Sequence, residues 1–340
     1  MKMPYKPGII SIVVLIILSF TGCPVDNTFN GNPLTEAKWL AILEKIDEDP
    51  EFSGILDLSG YSRSASIIGG GLRADGLFDP MPGINQSAKA KITAFVLPDE
   101  TDSFEGRQVM YFLGPYSDDD SRPIIPFADF TSLEEVTGRN VTTIGDMAFY
   151  DCSSLINADF PKVNYIGFGA FFNCSLTGID FPELTELYYA AFLDCKNLTS
   201  AYLPKAARIG ITAFANCTSL ASAYLPEVTY LNDLAFGGVF VHLITGEEFK
   251  DRVLEITMGS EAPSLGVGVL GPVSDTVNAT VRVIVPAGAE GYGTSPADTE
   301  TKNWGNALRG MGCSIDNGLF EFYRPDRVDA IVNLIIEYQP

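Results

Sequence analysis

A short motif recurs at nearly constant intervals in the middle of this chain. Alanine–phenylalanine pairs stand at 148–149, 170–171, 191–192, 213–214 and 235–236, with spacings of 22, 21, 22 and 22 residues. In the first four copies a cysteine follows the phenylalanine by three residues. A period of this kind means that the chain repeats one small structural unit. Such a unit cannot bury its apolar residues alone and must stack on its neighbours.

Each unit also contains a strand-like segment that ends at a proline, in the strings NADFP, GIDFP, SAYLP and SAYLP. Alternation predicts that every second residue of these strings faces the core and that the residues between face solvent. The wide side of each coil is expected to be filled by Phe149, Phe171, Phe192 and Phe214. Small buried positions are expected for Cys152, Cys174, Cys195 and Cys217. The one residue missing after Cys174 lies where a loop can absorb the deletion.

The repeat unit, roughly Ile-Gly-x-x-Ala-Phe-x-x-Cys-x-x-Leu-x-x-Ala/Ile-x-Phe/Leu-Pro-x-Val, resembles the BspA-like leucine-rich repeat family. Members of that family are found on the surfaces of host-associated bacteria. The resemblance implies an α/β fold, a right-handed leucine-rich repeat solenoid with short strands, helical or irregular turns, and degenerate capping repeats at both ends. It also implies adhesion, and therefore a binding protein without catalytic activity.

The rest of the chain divides around regular repeats at 141–240. Residues 34–140 are predicted to hold an N-terminal capping helix and degenerate repeats. The helix is expected to begin after Thr35, with an apolar stripe of Trp39, Leu40, Leu43 and Ile46. Residues 241–340 alternate strand-like runs with glycine-rich turns, which predicts further degenerate repeats and a C-terminal cap.

Residues 1–22 have the features of a lipoprotein signal peptide. Two lysines precede an apolar run at 9–20, which is shorter than the roughly 20 residues that a membrane span requires. The run leads into "FTGC", which resembles a bacterial lipobox with Cys23 as the lipidated residue, although Phe20 departs from the usual aliphatic residue. Residues 23–33 would form a polar tether at the outer membrane or cell surface. Ordinary secretory cleavage nearby is the alternative.

The chain has a formal net charge of −21, which disfavours nucleic acid and anionic lipid headgroups as partners. Any membrane contact is therefore expected only through the N-terminal lipid. An acidic surface suits a basic partner or loosely held cations, and it also serves solubility. The run Asp118-Asp119-Asp120 could hold a calcium ion, but it lacks the glycine and the distal glutamate of a known calcium loop. A solvated acidic loop is the favoured interpretation.

Residue patterns that carry catalysis are few. The single histidine, His242, lies in an apolar run, where a structural role is favoured. The string GVGVLG at 266–271 matches the dinucleotide glycine pattern, but Pro272 and a strand-like run follow it in place of a helix. The four repeat cysteines could in principle bind metal ions in a row along the coils. No histidine or second cysteine shares a coil with them, so buried thiols are the favoured interpretation. We therefore predict no catalytic residue, metal or cofactor, and an exported enzyme is the third hypothesis for function.

The residues between the buried positions of the repeat strands vary from coil to coil. They are expected to form one exposed ladder of two acids and two tyrosines, Asp159, Asp180, Tyr202 and Tyr224. Exposed tyrosines suit protein contacts or sugar stacking, whereas the structural alternative is mutual support across strands or cover by the caps. We hypothesise that the ladder recognises a host protein, a matrix component or a glycan. The alternative function is a structural or envelope protein that binds another bacterial component.

Overall fold

The repeat unit coils into a solenoid whose turns are joined by parallel strand pairing. A computed structural model of the chain describes residues 32–63, 71–72, 77–104, 126–239, 252–266, 268–271, 279–292, 312–316, 319–323 and 332–339. Two sides of the coils are built from strands, and the third is built from turns.

The first side carries two sheets in succession. The earlier, four-stranded sheet contains β2 (Ile55–Asp57), β6 (Ala94–Val96), β8 (Glu135–Thr137) and β10 (Asn157–Asp159). The later, six-stranded sheet contains β12 (Gly178–Asp180), β14 (Ser200–Tyr202), β16 (Ser222–Leu225), β18 (Arg252–Met258), β20 (Ala279–Pro286) and β23 (Val332–Gln339). All described pairings in these sheets are parallel, as expected when each coil contributes one strand.

The second side is one parallel sheet of seven two-residue strands. They are β7 (Ser103–Phe104), β9 (Thr143–Ile144), β11 (Tyr165–Ile166), β13 (Glu186–Leu187), β15 (Arg208–Ile209), β17 (Tyr230–Leu231) and β19 (Ser264–Leu265). Three two-stranded sheets lie outside this pattern. They pair β1 (Asn32–Pro33) with β3 (Tyr61–Ser62), β4 (Gly71–Leu72) with β5 (Phe78–Asp79), and β21 (Gly312–Asp316) with β22 (Leu319–Tyr323).

The third side replaces strands with turns that still bond to one another. The backbone N–H of Phe149, Phe171, Phe192 and Phe214 donates to the carbonyl of the next coil's motif alanine over 2.7 to 2.8 Å. Two residues after each phenylalanine the backbone is left-handed, with φ between 53° and 62° at Asp151, Asn173, Asp194 and Asn216. Aspartate and asparagine tolerate this conformation better than other residues with a side chain, which accounts for their recurrence before the cysteine.

A column of stacked phenylalanines fills the core. Ring centroids of consecutive members lie 4.6 to 5.5 Å apart, in the order Phe127, Phe149, Phe171, Phe192, Phe214 and Phe236. All six side chains are fully buried. Because each ring packs on the rings of both neighbouring coils, the apolar interior is continuous along the solenoid.

The N-terminal end of the core is covered by helix α1 (Glu36–Glu48), with Thr35 as its N-cap. Its buried stripe is Trp39, Ile42, Leu43 and Ile46, whereas Leu40, which was predicted to belong to the stripe, is only half-buried. The Trp39 ring packs edge-on against Phe78 and Phe95. No helix among the described residues has the length and apolarity to cross a membrane.

A buried ion pair ties the short helix α2 (Gln86–Lys89) to the first repeats. The Lys89 ammonium lies 3.3 Å from a carboxylate oxygen of Asp129 and donates to the carbonyl of Met81 over 2.5 Å. Burial lowers the pKa of Lys89, and the charge of Asp129 opposes that shift. The pair fixes a stretch in which the repeat sequence has degenerated.

The one-residue deletion after Cys174 has a larger effect than a loop adjustment. Strands β10 and β12 belong to different sheets, so the pairing of the first side is interrupted where the 21-residue coil lies. On the second side, β11 and β13 remain paired across the same coil. The shorter coil therefore preserves strand pairing on the second side and breaks it on the first side.

Truncation of one member of the phenylalanine column should lower the free energy of unfolding strongly. Phe171→Ala removes a fully buried ring and should cost about 3–5 kcal/mol. Phe172→Ala is the matched control, since this neighbouring ring points outward and is only half-buried against Tyr150. The control should lose less stability in urea unfolding followed by circular dichroism. Equal losses in the two variants would contradict the role given to the column.

Candidate protein-binding face

The predicted ladder lies on the outer surface of the first side, and we call this surface the strand face. Asp180, Tyr202 and Tyr224 are register partners on β12, β14 and β16. Asp159 ends β10 in the earlier sheet, so the ladder is continuous over three residues and interrupted before the fourth. All four side chains are exposed.

The two tyrosines form a close parallel stack. The centroids of Tyr202 and Tyr224 lie 5.0 Å apart with an interplanar angle of 10°, while 45% of Tyr202 and 36% of Tyr224 remain exposed. They therefore support each other across the strands and remain accessible at the same time. No ring of a ligand fits between them at this separation. Contact is left to the ring edges, the hydroxyl groups and the two outer ring faces.

The acids differ from the tyrosines in their electrostatics. Burial raises the pKa of the Asp159 carboxyl, and the nearby charge of Arg139 opposes that rise. The pKa of Asp180 is raised by burial and further by the charge of Asp159. The two carboxylates therefore sense each other across the interruption between β10 and β12.

The strand face continues beyond the predicted ladder. Past Tyr224 the same register holds Thr257, Ile284 and Glu337. Arg282 lies beside them, with its Nη1 atom 2.5 Å from an oxygen of Glu255 and its Nε atom 3.6 Å from an oxygen of Glu337. Sequence reasoning missed these residues because the 22-residue spacing is lost after 240. Their alternation within VLEITM and VRVIVP was the available signal.

A second group of aromatic residues, of which one is exposed and three are half-buried, lies around β11 and β13 on other sides of the coils. Tyr188 is 47% exposed and its ring centroid lies 5.2 Å from that of Tyr165, while Phe168 stacks on Tyr189. The coils on either side have glycine at the position of Tyr188, so the repeat does not require an aromatic residue there. At Gly210 a Cβ atom would lie 2.4 Å from the backbone of Tyr188, which explains the glycine in that coil.

The repeat cysteines lie inside the core. The thiols of Cys174, Cys195 and Cys217 donate to phenylalanine carbonyls of the preceding coil over 3.0 to 3.1 Å, and that of Cys152 does so over 3.6 Å. Burial raises the pKa of Cys152 and Cys195 to about 12, and places those of Cys174 and Cys217 well above the usual range. Neutral, hydrogen-bonded thiols are poor metal ligands, and no metal-binding group of three or more acidic, cysteine or histidine side chains occurs within the described ranges.

Several residues singled out in the sequence lie outside the described ranges. They are Cys23 with the signal segment before it, the acidic run Asp118–Asp120, and His242. Their interpretation rests on the sequence alone.

The repeats of this solenoid are similar to those of a known protein family. The model for the BspA type leucine rich repeat region matches residues 126–240 in six copies. This part of the chain is similar to BspA-type leucine-rich repeat regions. The match confirms the resemblance noted in the sequence and, together with the parallel strands, the α/β repeat solenoid. The region begins at 126, so it includes a coil ahead of the regular repeats predicted at 141–240. No curated protein sequence matches the chain.

Three solved bacterial structures share part of the architecture. A leucine-rich repeat protein of Bacteroides ovatus is 18% identical over 58% of this chain, with a TM-score of 0.36, and the chain spans 57% of that protein. The T. pallidum leucine-rich repeat protein is 26% identical over 52% of this chain and 74% of its own, with a TM-score of 0.37. A leucine-rich cell surface protein of Faecalibacterium prausnitzii is 15% identical over 73% of this chain and 79% of its own, with a TM-score of 0.30. These partial similarities add nothing to the fold assignment, which rests on the strand pairing and the family match.

The four repeat cysteines should resist alkylation in the native protein. Iodoacetamide reacts with thiolates, and burial keeps these thiols protonated at mildly alkaline pH. Mass spectrometry of tryptic peptides should find Cys152, Cys174, Cys195 and Cys217 unmodified before unfolding in urea and modified after it. Equal modification rates in the two states would contradict the buried, hydrogen-bonded position.

Proposed function

We propose that the chain is a non-enzymatic, adhesin-like binding protein of the cell surface, which recognises a protein partner through the strand face. Leucine-rich repeat proteins generally bind proteins, and BspA-type members are typically surface-exposed. The exposed stack of Tyr202 and Tyr224 carries the proposal. The neighbouring coils have threonine or aspartate at this register position, so the repeat itself does not require tyrosine there.

The geometry of the stack favours a protein over a glycan. The inner faces of both tyrosines cover each other, so a sugar ring could stack only on one of the two outer faces. The exposed edges and hydroxyl groups suit the backbone and side chains of a protein surface, where tyrosine gives large contact area at a low entropic cost. A host protein or matrix component is the proposed partner class, and a bacterial envelope component is the alternative.

The proposed location rests on the N-terminal sequence. An apolar run too short to span a bilayer leads into "FTGC", which resembles a bacterial lipobox with Cys23 as the lipidated residue, although Phe20 departs from the usual aliphatic residue. The polar segment after Cys23 would serve as a tether between the lipid and the first described strand.

Protease treatment of intact cells tests the location. The wild-type chain should be degraded from outside while a periplasmic protein in the same cells survives. The Cys23→Ser variant should no longer fractionate with membranes, because it lacks the residue that would carry the lipid. Survival of the wild-type chain until the envelope is broken would overturn surface display and favour the envelope alternative. Retention of Cys23→Ser in the membrane fraction would overturn the lipid anchor.

Binding of the full chain in mild detergent to arrayed host proteins, matrix components, glycans and bacterial envelope proteins tests the strand face. The Tyr202→Ala/Tyr224→Ala variant should bind its protein partner at least about tenfold more weakly, as expected when exposed aromatic contact residues are removed. Tyr188→Ala is the matched control, since this tyrosine is equally exposed on another side of the coils. Its binding should equal that of the wild type. Equal binding by the double variant would exclude the tyrosine stack as the contact site.

A further inference from the structure

Two carboxylates, those of Asp159 and Asp180, lie at one end of the tyrosine stack. Within the described ranges, no lysine or arginine nitrogen lies within ion-pair distance of Asp159 or Asp180. Burial raises the pKa of Asp159 and the positive charge of Arg139 opposes that rise, but the Nη1 atom of this arginine is paired with Asp99 at 3.7 Å. In the described part of the chain, Asp159 and Asp180 therefore have no ion-pair partner, and Arg139 acts on Asp159 only from beyond ion-pair distance.

Acidic side chains at the opposite end of the strand face do have basic partners. Glu255 and Glu337 have Arg282 between them, and this arginine is in ion-pair distance of both. Glu183 is likewise paired with Lys205. Arg282 therefore bridges two acids, and Lys205 is paired with one. Among the residues that the structure describes, no lysine or arginine bridges Asp159 and Asp180.

The space beside the two acids is open and bounded by an aromatic face. The ring of Tyr202 covers Tyr224 on one side, so its other face is directed along the ladder towards Asp180, its register partner. Gly178 occupies the position that Ser200 and Ser222 hold in the next coils, and it leaves that position without a side chain. The paired strands β12 and β14 are separated by about 4.8 Å, so a planar cation on the Tyr202 face lies beside Asp180. Asp159 stands in the next coil, close enough for its charge to act on Asp180.

Arginine meets these geometric requirements better than lysine. Its guanidinium is planar and stacks on an aromatic face, and its five N–H donors can bond to two carboxylates together. Lysine supplies the same charge as a compact ammonium and gains less from the open ring face. The net charge of −21 adds a long-range attraction for a basic partner.

We propose that the strand face docks an arginine-bearing segment of the partner protein, whose guanidinium bridges Asp159 and Asp180 and stacks on the free face of Tyr202. This inference rests on the proposed function and specifies the chemistry that its contact site recognises. The tyrosine edges would then contact the residues that flank the arginine.

Arrayed synthetic peptides can test this chemistry with the full chain in mild detergent. The probes are glycine–serine peptides that contain one arginine, one lysine or one citrulline, the last being a neutral mimic of arginine. Retention of the wild-type chain should be greatest on arginine and about tenfold lower on citrulline, as expected for loss of a charge-assisted hydrogen bond. Lysine should lie between them. Equal retention on arginine and citrulline, or no detectable retention on arginine, would overturn the inference.

Matched variants locate the contact. The Asp159→Asn/Asp180→Asn variant should lose the preference for arginine, and Glu186→Gln should keep it, because that exposed acid lies on the second side of the coils. Circular dichroism and the urea midpoint establish that each variant is folded. Arginine preference that survives in the double variant would place the contact elsewhere and overturn the inference.

If tyrosine-dependent protein binding persists without arginine preference, the inference fails and the proposed function stands. If protein binding is independent of the tyrosines, the proposed contact site itself fails.

Discussion

Every coil of this solenoid depends on its neighbours for both its backbone hydrogen bonds and its apolar contacts. On two sides the bonds are those of parallel strands, and on the third they join turn to turn. Because these bonds hold successive coils close together, each core phenylalanine must stack on the next. The same spacing leaves room for a cysteine that donates to a carbonyl of the coil before it.

Because the coils contact one another at fixed positions, the fold requires certain residue types at those positions and permits many at the others. The fold requires a buried ring, a small buried residue before the strand, and an aspartate or asparagine in the left-handed turn. It places no comparable demand on the outward register positions of the strands, where threonine, aspartate and tyrosine all occur. Function is therefore best sought where an exposed residue is unusual and the fold gives no reason for it. Tyr202 and Tyr224 meet this condition.

Much of the regular region could be predicted because its contacts recur at a fixed separation in sequence. Phe171 and Cys195 have equivalents in adjacent coils, so their burial follows from the period alone. Contacts could not be predicted from the sequence where the period changes. The sheet interruption beside Asp159 arises from one missing residue, and its effect depends on which of two sheets can adapt. The ion pairs of Arg282 were missed for a related reason, since they join strands separated by irregular intervals.

The sequence by itself determined that the chain is a stacked repeat, which residues fill it and which positions face outward, because periodicity and alternation are local properties. Only the tertiary structure decided how the outward residues meet. It closed the inner faces of the two tyrosines against each other, and it brought Asp159 and Asp180 close enough for their charges to interact. It also showed that Glu255 and Glu337 are bridged by Arg282. The physical reason is that stacking distance, sheet continuity and charge pairing depend on contacts between coils, and no single coil contains that information.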